Sequence, residues 1–520
     1  MVLWNGRGGK NAPAVICKSK GEKKMLNELK NEANRAYTEN GALTNKTTQS
    51  DCLDLFATIG ALRRQSEDEI IVRFTRAFGE NRDLAVKTLF YARDVRGGLG
   101  ERRVFRVIVG WLAQNEPAVL KKNIKYFAEY GRFDDLLCLL HTKCEDEALR
   151  VIKEQLDMDR SCLKNGENVS LLAKWLPSEN TSSKAARENA RYLMQKLGYT
   201  ERCYRKTMVA LRNRIRIIEN NLRERDYTFD YAKQPSRAMK KYRAAFYRND
   251  EKRYTEFLQK VSSGEAKLHA GTLYPYELVL PYIHDRFWGA GRSFMREITE
   301  EEKQYLNATW KSLPHFGSDE NALAVIDTSG SMYWNDPPLP AAVALSLGLY
   351  FAEHNKGVFH NHFIEFSEEP TLVEIKGETF ADKLRFACSF NKIGNTDLEA
   401  VFDLVLNAAV RHNVPQKELP KKLVIISDME FDSCIYNADA TNFDNAKQKY
   451  AAHGYDLPEI VFWNVESRSR NLPVTMNENG VALVSGCTPR IFQMVEGDLS
   501  TPYALMLEIL SAERYKKISA

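Results

Sequence analysis

From residue 321 onward, short apolar runs alternate with helix-length segments, and this rhythm leaves few folds open. It predicts strands at 322–327, 359–366, 371–375, 422–428, 459–465 and 480–484, and helices at 340–354, 379–389, 397–410, 441–453 and 501–513. Runs such as Ala322-Leu323-Ala324-Val325-Ile326 and Leu423-Val424-Ile425-Ile426 are not interrupted by polar residues, so both faces of each strand must be covered. Strands and helices in this order predict an α/β domain with a mostly parallel, doubly wound sheet. In such sheets ligands bind at the carboxyl ends of the strands.

Two of these strands end on acids. Asp327 closes the first and opens Asp327-Thr328-Ser329-Gly330-Ser331, while Asp428 follows Leu423-Val424-Ile425-Ile426-Ser427. Thr396, in Gly394-Asn395-Thr396-Asp397, precedes a predicted helix and could equally cap it. Asp327, Ser329, Ser331, Thr396 and Asp428 offer the oxygen donors that a hard divalent cation prefers, Mg²⁺ or a substitute such as Mn²⁺. Ser329 and Ser331 are expected to bind it directly, Thr396 directly or through water, and the two aspartates directly or one shell further out. Gly330 permits the tight turn that aims both hydroxyls inward. With few carboxylates bound directly, the ion keeps positive character and can recruit an acidic group from a partner. An aspartic protease would need Asp-Thr-Gly twice, whereas Ser329 stands at the glycine position and no second copy exists. No general base is evident either, because His354, His360 and His362 fall in or beside the following helix and strand. The pattern D-x-S-x-S…T…D resembles the metal-ion-dependent adhesion site of von Willebrand factor A domains, and implies a binding device rather than an enzyme.

The first half reads differently. Residues 1–24 are Gly- and Lys-rich and expected to be flexible; 25–265 read as successive helices, including Ile70–Phe78, Leu84–Tyr91, Val104–Leu112 and Val119–Tyr130; 266–320, with Pro275, Pro281 and Pro314, read as a linking segment before an α/β domain at 321–520. Short connections between the helices fit a HEAT-like solenoid of antiparallel pairs. Tyr204, Met208, Leu211, Ile215, Ile218 and Leu222 recur at steps of four and three, predicting one helix with Arg205, Arg212, Arg216 and Arg223 as a ridge about 100° round from the stripe. Another helix is predicted to start at Pro235 and to carry Arg237, Lys240, Lys241 and Arg243. Arg96, Arg102 and Arg103 flank Gly97-Gly98-Leu99-Gly100, a turn between helices rather than a P-loop, which needs Gly-Lys-Ser/Thr. These eleven cations are candidate phosphate contacts, and each has a solvated face or a local ion pair as its alternative.

Charge divides the chain the same way. From residue 321 onward 17 Lys and Arg face 26 Asp and Glu, a net −9; residues 1–320 hold 57 against 43, a net +14. A basic half joined to an acidic half points to a polyanion on the first alone. Nine scattered cysteines without a C-x-x-C pair argue against a disulfide framework or a zinc site, the first residues lack a signal-peptide core, and no apolar stretch can span a bilayer. A cytoplasmic protein without membrane contact is expected.

Blocks along the chain resemble an uncharacterised family of Ro-like proteins: Arg93-Asp94-Val95-Arg96-Gly97-Gly98-Leu99-Gly100-Glu101-Arg102, Tyr130-Gly131-Arg132-Phe133-Asp134-Asp135, Trp175-Leu176-Pro177-Ser178-Glu179-Asn180, Asp327 to Met332, Asn395 to Phe402, and Ile426 to Asp432. More distantly, the layout is similar to the Ro autoantigen, a ring of HEAT-like repeats closed by a von Willebrand factor A domain. The resemblance implies a non-enzymatic scaffold that holds single-stranded, misfolded or small structured RNA on its basic helices. It carries over the metal residues but no RNA-contacting residue. A metal-dependent protein adaptor without RNA is the alternative expectation, and a metal-assisted hydrolase a weaker one.

Overall fold

A computed structural model describes residues 20–215, 217–283, 295–316, 320–333, 337, 339–389, 396–432 and 441–520. Of the segment expected to be flexible, 1–24, residues 1–19 lie outside the described residues and 20–24 open helix Lys20–Asn34; the placement of Arg216 also lies outside the described residues. A helical region occupies most of the chain before residue 316, and a six-stranded sheet with flanking helices follows it.

The first strands come earlier than predicted. β1 (Arg35–Tyr37) and β2 (Leu43–Asn45) form an antiparallel ribbon inside the stretch expected to be helical throughout. Its three-residue strands are too short to show a period of two, and long-range bonds hold it instead. Thr38 Oγ1 donates to Phe431 O, Asn40 Nδ2 donates to Glu430 O at 2.6 Å, and Asn45 pairs backbone to backbone with Leu472. Its turn did carry a signal, Asn40-Gly41, where Gly41 takes φ +88°.

Helices Glu67–Glu80, Arg82–Arg93 and Arg103–Asn115 enclose the expected segments and lengthen each by a turn or less at either end. Ser66 and Asn81 cap the first two through side-chain bonds to the third residue along. The predicted helix through 204–222 is two helices, Glu201–Ile215 and Ile218–Glu224, joined through an extended Ile217 (φ −65°, ψ 135°). A cluster of β-branched isoleucines at 215, 217 and 218 lowers the cost of breaking there. Ile215 and Ile218 sit three apart, so the apolar stripe reads the same across the break. The helix expected from Pro235 runs Ser236–Ser263, with Pro235 as its N-cap and a non-helical Asp250 inside.

The sheet contains β3 (Ala322–Asp327), β4 (His362–Phe366), β5 (Thr371–Glu374), β6 (Lys422–Ser427), β7 (Glu459–Asn464) and β8 (Val481–Ser485), ordered β5-β4-β3-β6-β7-β8. Only β5 is antiparallel to its neighbour. β3, β6 and β8 are buried along their whole length. Leu323 and Val325 face Val401, Phe402 and Leu406 of helix Leu398–His412; Ala324 and Ile326 face the other way, into a core shared with helix Leu339–His354 and with the helical region. That second face makes one continuous apolar core across both parts of the molecule.

The helical region meets the sheet domain at both of its ends. Near its start, Gly60 N donates to Ser485 Oγ at the end of β8 at 3.0 Å. Near its end, Trp310 stacks on Phe380 (centroids 3.8 Å apart, 11° between planes) and donates through Nε1 to Glu353 at 2.5 Å. The C-terminal segment then crosses back: Arg514 pairs with buried Asp94, and Tyr515 Oη donates to the same carboxylate at 3.1 Å.

Candidate functional site

β3 lies between β4, which follows it in sequence, and β6, which comes three strands later. The helices leaving β3 and entering β6 therefore cover opposite faces, and a crevice opens at the carboxyl ends of these two strands. Asp327 and Asp428 both stand at this rim, as the apolar runs required. Ser427 Oγ donates to Asp327 Oδ2 at 2.6 Å and so ties the two strand ends together. The Ser329 N–H donates to Asp327 Oδ1 at 2.9 Å, fixing the turn after β3. That turn brings Ser329 Oγ to 3.0 Å from Ser331 Oγ. Ser331 in turn reaches Asp428, whose carboxylate also accepts from Glu430 N at 3.2 Å.

Asp327, Ser329, Ser331 and Asp428 thus converge. Thr396 is placed one loop further: it is bound through its N–H and its hydroxyl to Asp432 Oδ2, the latter at 2.8 Å, and its hydroxyl lies 3.4 Å from Glu430 O. Its link to the serine pair runs through the 428–432 loop. Asp397, not Thr396, caps helix Leu398–His412 by accepting from Ala400 N.

Both carboxylates are buried, 1% and 3% exposed. Burial, and after it the charge of Asp428, hold the Asp327 carboxyl well above its ordinary range. Burial also raises Asp428, opposed by the guanidinium of Arg468. Arg468 reaches Asp428 Oδ2 at 3.0 Å and Glu39 Oε2 of the ribbon at 2.9 Å, and its Nε is buried without a partner among the described residues. The donor set suits a hard cation. At a Mg²⁺–oxygen distance of about 2.0–2.1 Å, adjacent octahedral ligands stand about 2.9 Å apart, close to the spacing of the two serine hydroxyls; Ca²⁺ would spread them further. Among the described residues no group of three or more His, Cys, Asp or Glu side chains is arranged around a common point, so any metal here rests on hydroxyls as much as on acids.

Several rim residues escaped the sequence reading. Ser427 and Glu430 flank Asp428, and Arg468 follows β7 on the same edge of the sheet; a parallel sheet collects all its carboxyl ends on one rim, which was the available signal. His354 is stacked on Tyr350 (4.1 Å) with Nδ1 2.8 Å from Tyr350 O, and takes no part.

The candidate phosphate contacts separate into two kinds. Arg212 donates to Ala173 O and Leu176 O at 2.8 Å and to Ser178 Oγ at 2.5 Å, so its guanidinium closes a turn within the fold. Arg103 donates to Gln65 O at 2.7 Å, and Arg96 to Glu129 O. Arg102 and Arg205 are exposed, and Arg223 pairs with Glu224 at 3.0 Å on the next helix along, so the four-arginine ridge is divided by the break at 217. Arg237, Lys240, Lys241 and Arg243 instead line one cavity of about 350 Å³ with Glu277.

Comparison with known proteins adds little chemistry. Residues 321–501 match a family model described as a domain of unknown function (DUF7788), and 38–158 with 179–315 match another of the same description (DUF2828). The chain is 28% identical, over 516 residues, to an uncharacterized protein of Acanthamoeba polyphaga mimivirus, an alignment covering 92% of this chain and 87% of the viral one. Among solved structures it is similar to the Ro (RSR) protein of Deinococcus radiodurans, with a TM-score of 0.39 and 13% identity over 89% of this chain and all of the other; a score that low supports no structural argument. Among the described residues no helix is long and apolar enough to cross a membrane.

Proposed function

We propose that the protein is a non-enzymatic, Ro-like scaffold. In this reading its α/β domain, of von Willebrand factor A type, holds Mg²⁺ and uses it to dock an acidic group, while its basic helical region binds single-stranded or small structured RNA. The observation that carries the metal half is the meeting of Asp327, Ser329, Ser331 and Asp428 at the crevice between β3 and β6. Two hydroxyls at octahedral spacing beside buried, mutually repelling carboxylates favour a hard cation, and the ion's remaining positions stay open to a partner's carboxylate. Thr396 would join through water or a small shift of the 428–432 loop.

The RNA half is supported by the +14 charge of residues 1–320 and by the four cations that share one cavity. It is tested by filter binding of single-stranded RNA at about 50 and 200 mM salt, where several phosphate contacts cost orders of magnitude in affinity. No binding at the lower salt removes it. A protein adaptor without RNA is favoured by the bonds that Arg96, Arg103 and Arg212 already make to backbone carbonyls of the chain. That reading gains if partners are captured only with Mg²⁺ present, are released by EDTA, and no RNA is bound.

A further inference from the structure

We infer that the cavity lined by Arg237, Lys240, Lys241 and Arg243 is a binding site for a compact polyphosphate group. It is an open depression of about 350 Å³, which leaves a bound group reachable from solvent. The four cations come from the first two turns of helix Ser236–Ser263. They cover about 9 Å of its axis, at about 1.5 Å per residue, and an arc of about 160°, at about 100° per residue. All four border that one depression, whereas a groove that tracks a strand would string its cations out.

Among the described residues Glu277 is the one acid in the lining, and it balances the cations poorly. It stands 3.6 Å from Arg237 and 3.8 Å from Lys240, too far for the short charge-assisted bonds of a committed pair, and one of its oxygens already accepts from Tyr274 N at 3.0 Å. Arg243 lies 3.7 Å from Glu302, which is taken more closely by Arg296 at 2.7 Å. Lys241 sits over the Tyr242 ring at 4.7 Å, and Tyr242 donates to Glu219. Donor capacity is therefore left over at every cation. Burial lowers Lys240, and the neighbouring Arg237 and Arg243 lower it further against the pull of Glu277. A bound polyanion relieves that crowding. The N-terminal end of a long helix adds its own positive potential.

The chemistry fits either the 5′-triphosphate end of an RNA or a free polyphosphate. The first source rests on the RNA reading above; the site itself does not. Titration calorimetry of the full-length protein with inorganic tripolyphosphate tests the site directly. Wild-type protein is expected to bind, Lys240→Ala/Lys241→Ala to bind about tenfold more weakly, and Glu277→Gln to bind more tightly. Circular dichroism melts establish that each variant is folded, and Lys241→Ala alone, at an exposed position, serves if the double variant is not. Absence of binding by the wild type, or wild-type affinity in folded Lys240 and Lys241 variants, overturns the proposal. RNAs of one sequence with triphosphate or hydroxyl 5′ ends then identify the source. A triphosphate preference that Lys240→Ala/Lys241→Ala abolishes assigns the RNA end; tripolyphosphate binding without that preference assigns a free polyphosphate. Hydroxyl-ended RNA bound while tripolyphosphate is not leaves the RNA reading standing and removes the site.

Discussion

Asp327 and Asp428 share a buried rim where, among the described residues, the guanidinium of Arg468 alone pairs with either, and it reaches only the second. Binding of Mg²⁺ to the folded state alone stabilises by about 2.7 kcal/mol when the ion is at 100 times its Kd. The expected result is a Tm that rises with MgCl₂ in the wild type and stays flat in Ser329→Ala/Ser331→Ala, with calorimetric heats lost in the same variant. Equal Mg²⁺ responses in both would detach the serines from the ion. Glu69 offers a separate test. Hydrogen bonding from Arg470, with Arg73 also bound, holds its carboxyl at about 2, below an ordinary value of 4.5. A lowered folded pKa contributes stability that is complete above about 4.5 and lost as pH falls toward about 2. Glu69→Gln is therefore expected to cost about 1 kcal/mol at pH 7 and to narrow its deficit from the wild type between pH 5 and 2, read by urea titration at each pH. A deficit that does not change with pH would assign the cost to packing.

At the scale of elements, the sheet was legible because β3, β6, β7 and β8 each carry an apolar run of four or five residues, and all six predicted strands overlap observed ones. Asp327 and Asp428 were legible with it, since a strand's end fixes where its last side chain goes. Arg468 and Glu39 were not, because their meeting depends on the loop after β7 and on a ribbon more than 400 residues earlier in the chain. The arginine ridge failed for a local reason: periodicity reports which residues share a face but not whether the backbone stays helical between them. Gly60 presents an element-level prediction. A Cβ there would fall 2.5 Å from Ser485 O, a backbone atom at the end of β8. Gly60→Ala is expected to pry helix Asp51–Thr58 from the sheet and lower stability by about 3 kcal/mol, measured by chemical denaturation. An unchanged midpoint would mean that this junction yields without cost.

Over the whole molecule, the helical region leaves the sheet domain near Gly60 and returns to it at Trp310, while Arg514 and Tyr515 close the circuit on Asp94. Two parts tied by one continuous apolar core should lose structure together. Urea unfolding followed by tryptophan fluorescence and by far-UV circular dichroism is expected to give one coincident transition; two separated transitions would show independent domains. Asp94→Ala leaves Arg514 without its carboxylate and is expected to cost about 3 kcal/mol. The ribbon carries a consequence for biosynthesis. Thr38 emerges from the ribosome 393 residues before Phe431, the backbone it must bind. Through most of translation the nascent chain holds β1 and β2 without these partners, so docking of the ribbon awaits synthesis of Phe431 and Leu472. Slow maturation and reliance on chaperones during synthesis follow from that ordering.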